Sequence, residues 1–269
     1  MIAKRSEAPQ QNICATLPPI KKMTHEQHDR ESEKEIIETV ARHGWQVSMI
    51  ESDGYCPSFA YTIGLTKSYG HPELIIMGLG TKLMGELLNI AGDLVKNGHK
   101  IQLDKEYDDF LNGYNCKFIQ MHRDYYSDYL GYGIWFNNGK DFETLQLVWP
   151  NKKGNFPWNK GDDENFDFRQ PLLDRKMDFK FLEQENVATF TTKYVIELQK
   201  PILYVYHDQD GEWQFLCGTT NDTKDLKIVC LKNVVKLDSS VNELFNLGLG
   251  EYAWRESLND KWKREQIKD

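Results

Sequence analysis

Residues 59–79 read FAYTIGLTKSYGHPELIIMGL. Two apolar runs, 59–65 and 74–79, flank a polar stretch that holds Thr66, Lys67, Tyr69, Gly70, His71 and Pro72. Each run has the length and the β-branched content of a buried strand. The stretch predicts strand, loop, strand, and the chain is best read outward from it.

Upstream, Ser32 and Glu35 form a capping box, in which the serine accepts from the third helical amide and the carboxylate reaches back. The helix expected from there carries Ile36, Ile37, Val40 and Ala41 on one face and stops at Gly44. Residues 45–50 alternate apolar and polar, and the turn-rich SDGYCP at 52–57 predicts a hairpin into Phe59. Downstream, Leu83, Met84, Leu87, Leu88, Ala91, Leu94 and Val95 recur at helical spacing, with Asn97 and Gly98 as the stop. Residues 114–121 and 132–136 read as strands, and 124–129 as a short helix or turn. Asn138 and Gly139 then predict a tight turn that pairs 144–149 back. The expectation for residues 31–175 is an α+β domain: a mainly antiparallel sheet, with closure into a barrel left open, and one long helix.

Residues 150–173 show no period, yet keep Phe156, Trp158, Phe166 and Phe168 among Asp162, Asp163, Glu164 and Asp167. A loop this long and aromatic is either functional or wrapped on the domain. Residues 176–200 read as a connector. From Pro201 a second pattern starts: ILYVYH, a turn at 208–211, WQFLCG, LKIVCL, a short helix around 241–247, and YAWRES. It predicts a small α+β module over 201–269, with Asp210 and Gly211 as the strongest hairpin signal in the chain. Residues 1–30, polar and punctuated by Pro9, Pro18 and Pro19, are expected to be a flexible arm.

The 269 residues, 40% hydrophobic and 12% aromatic, are enough for a full core. With 33 basic and 41 acidic side chains the net charge is −8, which disfavours nucleic acid and anionic membrane and suits a basic protein partner. The 5 cysteines are odd in number and contain no C-x-x-C pair, so a disulfide framework and a zinc ribbon are not indicated, and the cytoplasm fits best. No apolar run reaches the ~20 residues of a membrane helix.

His71 with Glu73 is the best local candidate for chemistry, because an imidazole beside a carboxylate is poised for proton transfer. The same His-Pro-Glu turn can equally supply hydrogen bonds that cap a loop. Asp108 and Asp109 with His122, Arg123 and Asp124 are a metal or acid–base site if they meet, and solvated turns if they do not. Cys56 lies in a turn with no recognisable partner, and Trp135, Trp149 and Trp158 are core or pocket residues. No Gly-x-Ser-x-Gly, phosphate loop or His-Glu-x-x-His occurs, and no metal site is expected.

AYTIGL, GHPEL, LLN at 87–89, YLGYGIWF, LQLVWP and FPW follow one another in an order that resembles a bacterial family, domain of unknown function 4262, over residues 44–175. The resemblance implies a cytosolic bacterial protein and transfers no catalytic residue. DGEWQFLCG with IVCLKNVVKLDSSVNELFNL resembles domain of unknown function 2185, associated with immunity proteins of polymorphic-toxin systems. It implies an immunity-type module; the first reading is accordingly a binding protein in inter-bacterial or phage defence, with the C-terminal module and the acidic loop at 162–167 expected as contact surfaces and no cofactor expected. The alternative is an enzyme with a pocket at 62–73. By analogy with flavin-reductase split barrels, Thr62, Thr66 and Lys67 would hold the phosphate of FMN, and Trp149 or Trp135 would flank its ring.

Overall fold

A computed structural model describes residues 25–103, 105–159, 166–174 and 178–268. Helix α1 (His25–His43) leads into β1 (Gln46–Ile50), which pairs antiparallel with β2 (Phe59–Ile63). The polar linker after β2 contains a short helix, α2 (Leu65–Tyr69), and returns as β3 (Glu73–Met77), antiparallel to β2. Helix α3 (Thr81–Lys96) follows, then the hairpin of β4 (Tyr107–Leu111) and β5 (Tyr114–Gln120). Two short helices, α4 (Tyr126–Tyr129) and α5 (Gly131–Phe136), precede β6 (Thr144–Val148). Strand β6 inserts between β3, to which it is parallel, and β5, to which it is antiparallel.

The first sheet is thus open and mixed, in the order β1-β2-β3-β6-β5-β4. Every residue of β3 and β6 is buried, as two covered faces require. Because side chains alternate along a strand, Leu74 and Ile76 join Trp45, Met84, Leu88 and Leu147 in the core beneath α3. Ile75 and Met77 face the other way, where Ile36 and Val40 of α1 meet Tyr126 and Leu130.

After α6 (Phe166–Arg169), the second sheet is built from β7 (Ala188–Thr192), β8 (Tyr204–His207), β9 (Trp213–Leu216), β10 (Leu226–Cys230), β11 (Glu251–Trp254) and β12 (Lys263–Gln266). Its order is β10-β7-β9-β8-β11-β12, with β7 and β9 parallel and every other pair antiparallel. Helices α7 (Lys193–Ile196) and α8 (Leu231–Leu237) send Val195, Leu231, Val234 and Val235 into its core. Tyr55, from the loop after β1, belongs to that core as well.

Several expectations need correction. Both sheets are mixed rather than mainly antiparallel, and neither closes into a barrel. At 19 residues α1 is longer than α3, at 16, and it begins before Ser32, which leaves the capping box inside the helix. Residues 131–136 are helical, and the Asn-Gly pair read as a hairpin turn is that helix's C-terminal cap. Asn137 donates to the Gly133 carbonyl through backbone and side chain, Asn138 takes φ 57°, and the Gly139 amide returns to the Ile134 carbonyl. Strand β7 lies inside the stretch read as a connector. The short helix expected near 241–247 is a 3₁₀ turn, Ser239–Leu244, with α8 before it. The Asp210-Gly211 hairpin is present, with His207 opposite Trp213 and Gly211 at φ 82°. Residues 1–24 and the acids Asp162, Asp163 and Glu164 lie outside the described residues.

Gly92, in the middle of α3, offers a test of the core. A Cβ there would sit 2.4 Å from the Trp45 ring, and Trp45 is fixed by its Nε1 donating to Asn89 Oδ1 at 3.0 Å. Gly92→Ala, which would raise the stability of an exposed helix by about 1 kcal/mol, is expected instead to lower it by about 1–3 kcal/mol. Urea denaturation of the two proteins checks the sign.

Candidate functional site

Glu73, the first residue of β3, is fully buried. Its Oε1 accepts from the amides of Gly64 (2.9 Å) and Thr66 (3.0 Å), and its Oε2 from Thr62 Oγ1 (2.7 Å) and the Leu65 amide (3.3 Å). Those amides open α2, whose N-cap position is Gly64 at φ 112° with no side-chain cap of its own. A carboxylate from the next strand therefore replaces the missing cap. Burial raises the Glu73 carboxyl above the ordinary carboxylate range, and the four donors act against that rise. Thr62 Oγ1, having donated to Glu73, accepts from the Leu74 amide at 2.8 Å.

His71 lies two residues away yet points elsewhere. Its Nδ1 is 2.8 Å from the Pro72 carbonyl and must donate; its Nε2 receives the Ile101 amide at 3.4 Å. This fixes a neutral ring, and burial accordingly holds its pKa below the usual histidine value. The structure does not join His71 to Glu73. Thr66 Oγ1 donates to the His71 carbonyl at 3.1 Å, and Lys67 Nζ sits 5.0 Å from the centre of the Phe136 ring. Trp149 is a core residue: Nε1 donates to the Met77 carbonyl at 2.7 Å, and the ring packs edge-on against Phe166. Thr62, Thr66, Lys67 and Trp149 are thus engaged in separate interactions, while Trp135 remains partly exposed near Tyr132 and Phe136.

The other cluster divides similarly. Asp108 and Asp109 are exposed on β4, His122 pairs with Asp124, and Arg123 pairs with Glu143 and Asp141. Among the described residues no group of three His, Cys, Asp or Glu side chains is placed to hold a metal. The Cys56 thiol is pushed up to about 12 by burial and then by nearby Asp53 and Glu183, so it is not a thiolate at neutral pH.

A cleft of about 650 Å³ opens between the two sheets, walled by Tyr125, Tyr129, Trp158, Phe179 and Phe181, with Glu183 on its lining. Glu183 Oε1 accepts from Tyr55 Oη and Trp213 Nε1, both at 2.7 Å. Its Oε2 is buried and has no hydrogen-bond partner among the described residues. Around this carboxylate, Tyr55 meets His207 edge-on at 4.6 Å, and His207 stacks on Trp213 at 4.0 Å. Burial and the Glu183 charge raise the Tyr55 hydroxyl well above its ordinary value. Asn242 steadies the cleft's other wall by accepting from the Lys180 amide (2.9 Å) and donating to the Asp178 carbonyl (3.3 Å). Of these groups, sequence reasoning had singled out Trp158. For Tyr55, Trp213 and Glu183 the available signals were an aromatic in the SDGYCP turn and another at the DG hairpin.

Residues 39–163 match the model of the family described as Domain of unknown function (DUF4262). The matched span contains the whole first sheet and ends before β7. No curated protein and no solved structure matched the chain. No helix among the described residues is long and apolar enough to cross a membrane.

Two outcomes follow from the Glu73 and His71 geometry. In Glu73→Gln, either amide orientation turns an NH₂ toward two donors, so a loss of about 3 kcal/mol in unfolding free energy is expected, measurable by chemical denaturation. A histidine whose folded pKa lies below its unfolded value takes up its proton first in the unfolded chain. His71 therefore makes stability fall as the pH drops through its ordinary value of 6.5. Thermal melts from pH 7.5 to 5 should show that slope in the native protein and a shallower one in His71→Gln.

Proposed function

We propose that the protein acts by binding, and that its ligand is captured in the cleft where the two sheets meet. The observation that carries this reading is the cleft's aromatic wall, Tyr125, Tyr129, Trp158, Phe179 and Phe181 around about 650 Å³. Concave sites of this size that set an aromatic wall against polar groups able to orient a guest are what ligands occupy. The stretch at 62–73 offers less to a substrate, since Thr62, Thr66, His71 and Glu73 spend their polar atoms on the fold. A net charge of −8 suits a basic protein partner and not a phosphate backbone. We extend the proposal to an immunity-type role in inter-bacterial or phage defence, a part that rests on the C-terminal sequence motifs alone. The four described cysteines are all unpaired, in keeping with a reducing cytosol.

A fragment screen on the full chain, read by NMR, is the direct test. Shift changes are expected to centre on Tyr129, Trp158 and Phe179, and Trp158→Ala should weaken the hits about tenfold. Hits that bypass the cleft and gather around Thr66 and His71 would return the reading to an enzyme pocket.

A further inference from the structure

Glu183 gives the cleft a chemical preference that its aromatic wall alone does not. Four charged residues line the cleft: Asp178, Lys180, Glu183 and Glu185. Lys180 is neutralised by Asp128, with Nζ 2.8 Å from Oδ2, and Glu185 is paired with Lys232. Asp178 and Glu183 have no cation partner among the described residues, so the described lining carries an excess of negative charge. Glu183 uses one oxygen for Tyr55 and Trp213 and leaves Oε2 buried and unpartnered. A carboxylate oxygen in that state is costly unless a donor reaches it. On the same cleft's lining, Trp158 is 43% exposed and stacked on Phe156 at 4.7 Å, so its indole is held in one orientation.

We propose that the cleft takes an arginine side chain of a basic polypeptide partner. The aliphatic stem lies along Trp158 and Tyr129, and the guanidinium reaches Glu183 Oε2. Guanidinium is the cation this lining suits, because it is planar, stacks on aromatic faces and is less tightly hydrated than an ammonium. A cleft of about 650 Å³ holds more than one side chain, which fits an arginine entering with its flanking backbone. Reaching Oε2 requires the Glu183 side chain to turn toward the cleft within a segment that has no helix or strand but is held on either side by Asn242 at Asp178 and Lys180 and by the Lys232 amide at Glu185. The inference rests on the cleft reading above and names the ligand class for it.

Titration calorimetry on the full chain tests it with a short capped peptide holding one arginine among prolines and glycines, and its citrulline counterpart, equal in shape and uncharged. The native protein is expected to bind the arginine peptide at least about tenfold more tightly, with affinity falling as salt rises. Glu183→Gln, whose Oε1 still accepts from Tyr55 and Trp213, should remove the preference while citrulline binding persists. Equal binding of both peptides by the native protein overturns the inference and leaves the cleft reading standing. Absence of binding by either peptide, together with fragment hits outside the cleft, overturns both. Agmatine binding as tightly as the arginine peptide would assign the cleft to a free guanidino compound and exclude the polypeptide partner.

Discussion

The Glu73 carboxylate sets the geometry on which the first sheet depends. One buried negative charge meets four donors that belong to the end of β2, to the first turn of α2 and to Thr62. Left unmet, each of those amides would weigh against folding. The chain can therefore turn from β2 into α2 and back into β3 while Gly64, Leu65, His71 and Glu73 stay buried and Lys67, Ser68 and Gly70 face solvent. Thr62 continues the chain of contacts to the Leu74 amide, so the register of β2 against β3 is tied to the same carboxylate. A His-Pro-Glu triplet that looks like acid–base chemistry in one dimension is, in three, the capping of a short helix.

Much of the fold was legible in the sequence where the signal is local. The amphipathic run of α3, the alternation that gives β1, and the Asp-Gly turn between β8 and β9 each depend on residues a few positions apart. Failures came where a local signal has two readings. YGIWF is apolar at almost every position, so no period separates strand from helix, and Asn138 serves a helix cap as readily as a hairpin turn because both require positive φ. The parallel pairings of β3 with β6 in the first sheet and of β7 with β9 in the second have no signature in any of these strands alone. Ser32 and Glu35 satisfy a capping pattern but fall within α1.

The cleft was less legible, for a reason of distance along the chain. Tyr55 and Glu183 are 128 positions apart, and Trp213 joins them from another 30 positions on. None of the three is unusual in its own neighbourhood; they become a unit because a turn of the first sheet is inserted into the core of the second. Trp158 was visible as an aromatic among acids, which fits a residue at the mouth of a pocket. Its deeper neighbours were not.

That insertion of Tyr55 also governs cooperativity. The loop between β1 and β2 is short and local in the first sheet, yet its aromatic ring is packed against Phe168, His207 and Trp213. Tyr129, the last residue of α4, likewise reaches Phe245, with the two rings tilted and their centres 6.4 Å apart. Unfolding either sheet strips these rings of their cover and takes from Glu183 one of its two donors, Tyr55 from the first sheet or Trp213 from the second, so each sheet raises the free energy of opening the other. The two sheets are expected to melt as one transition, and in a chain emerging from the ribosome the Tyr55 loop reaches its final packing only after the second sheet has been made.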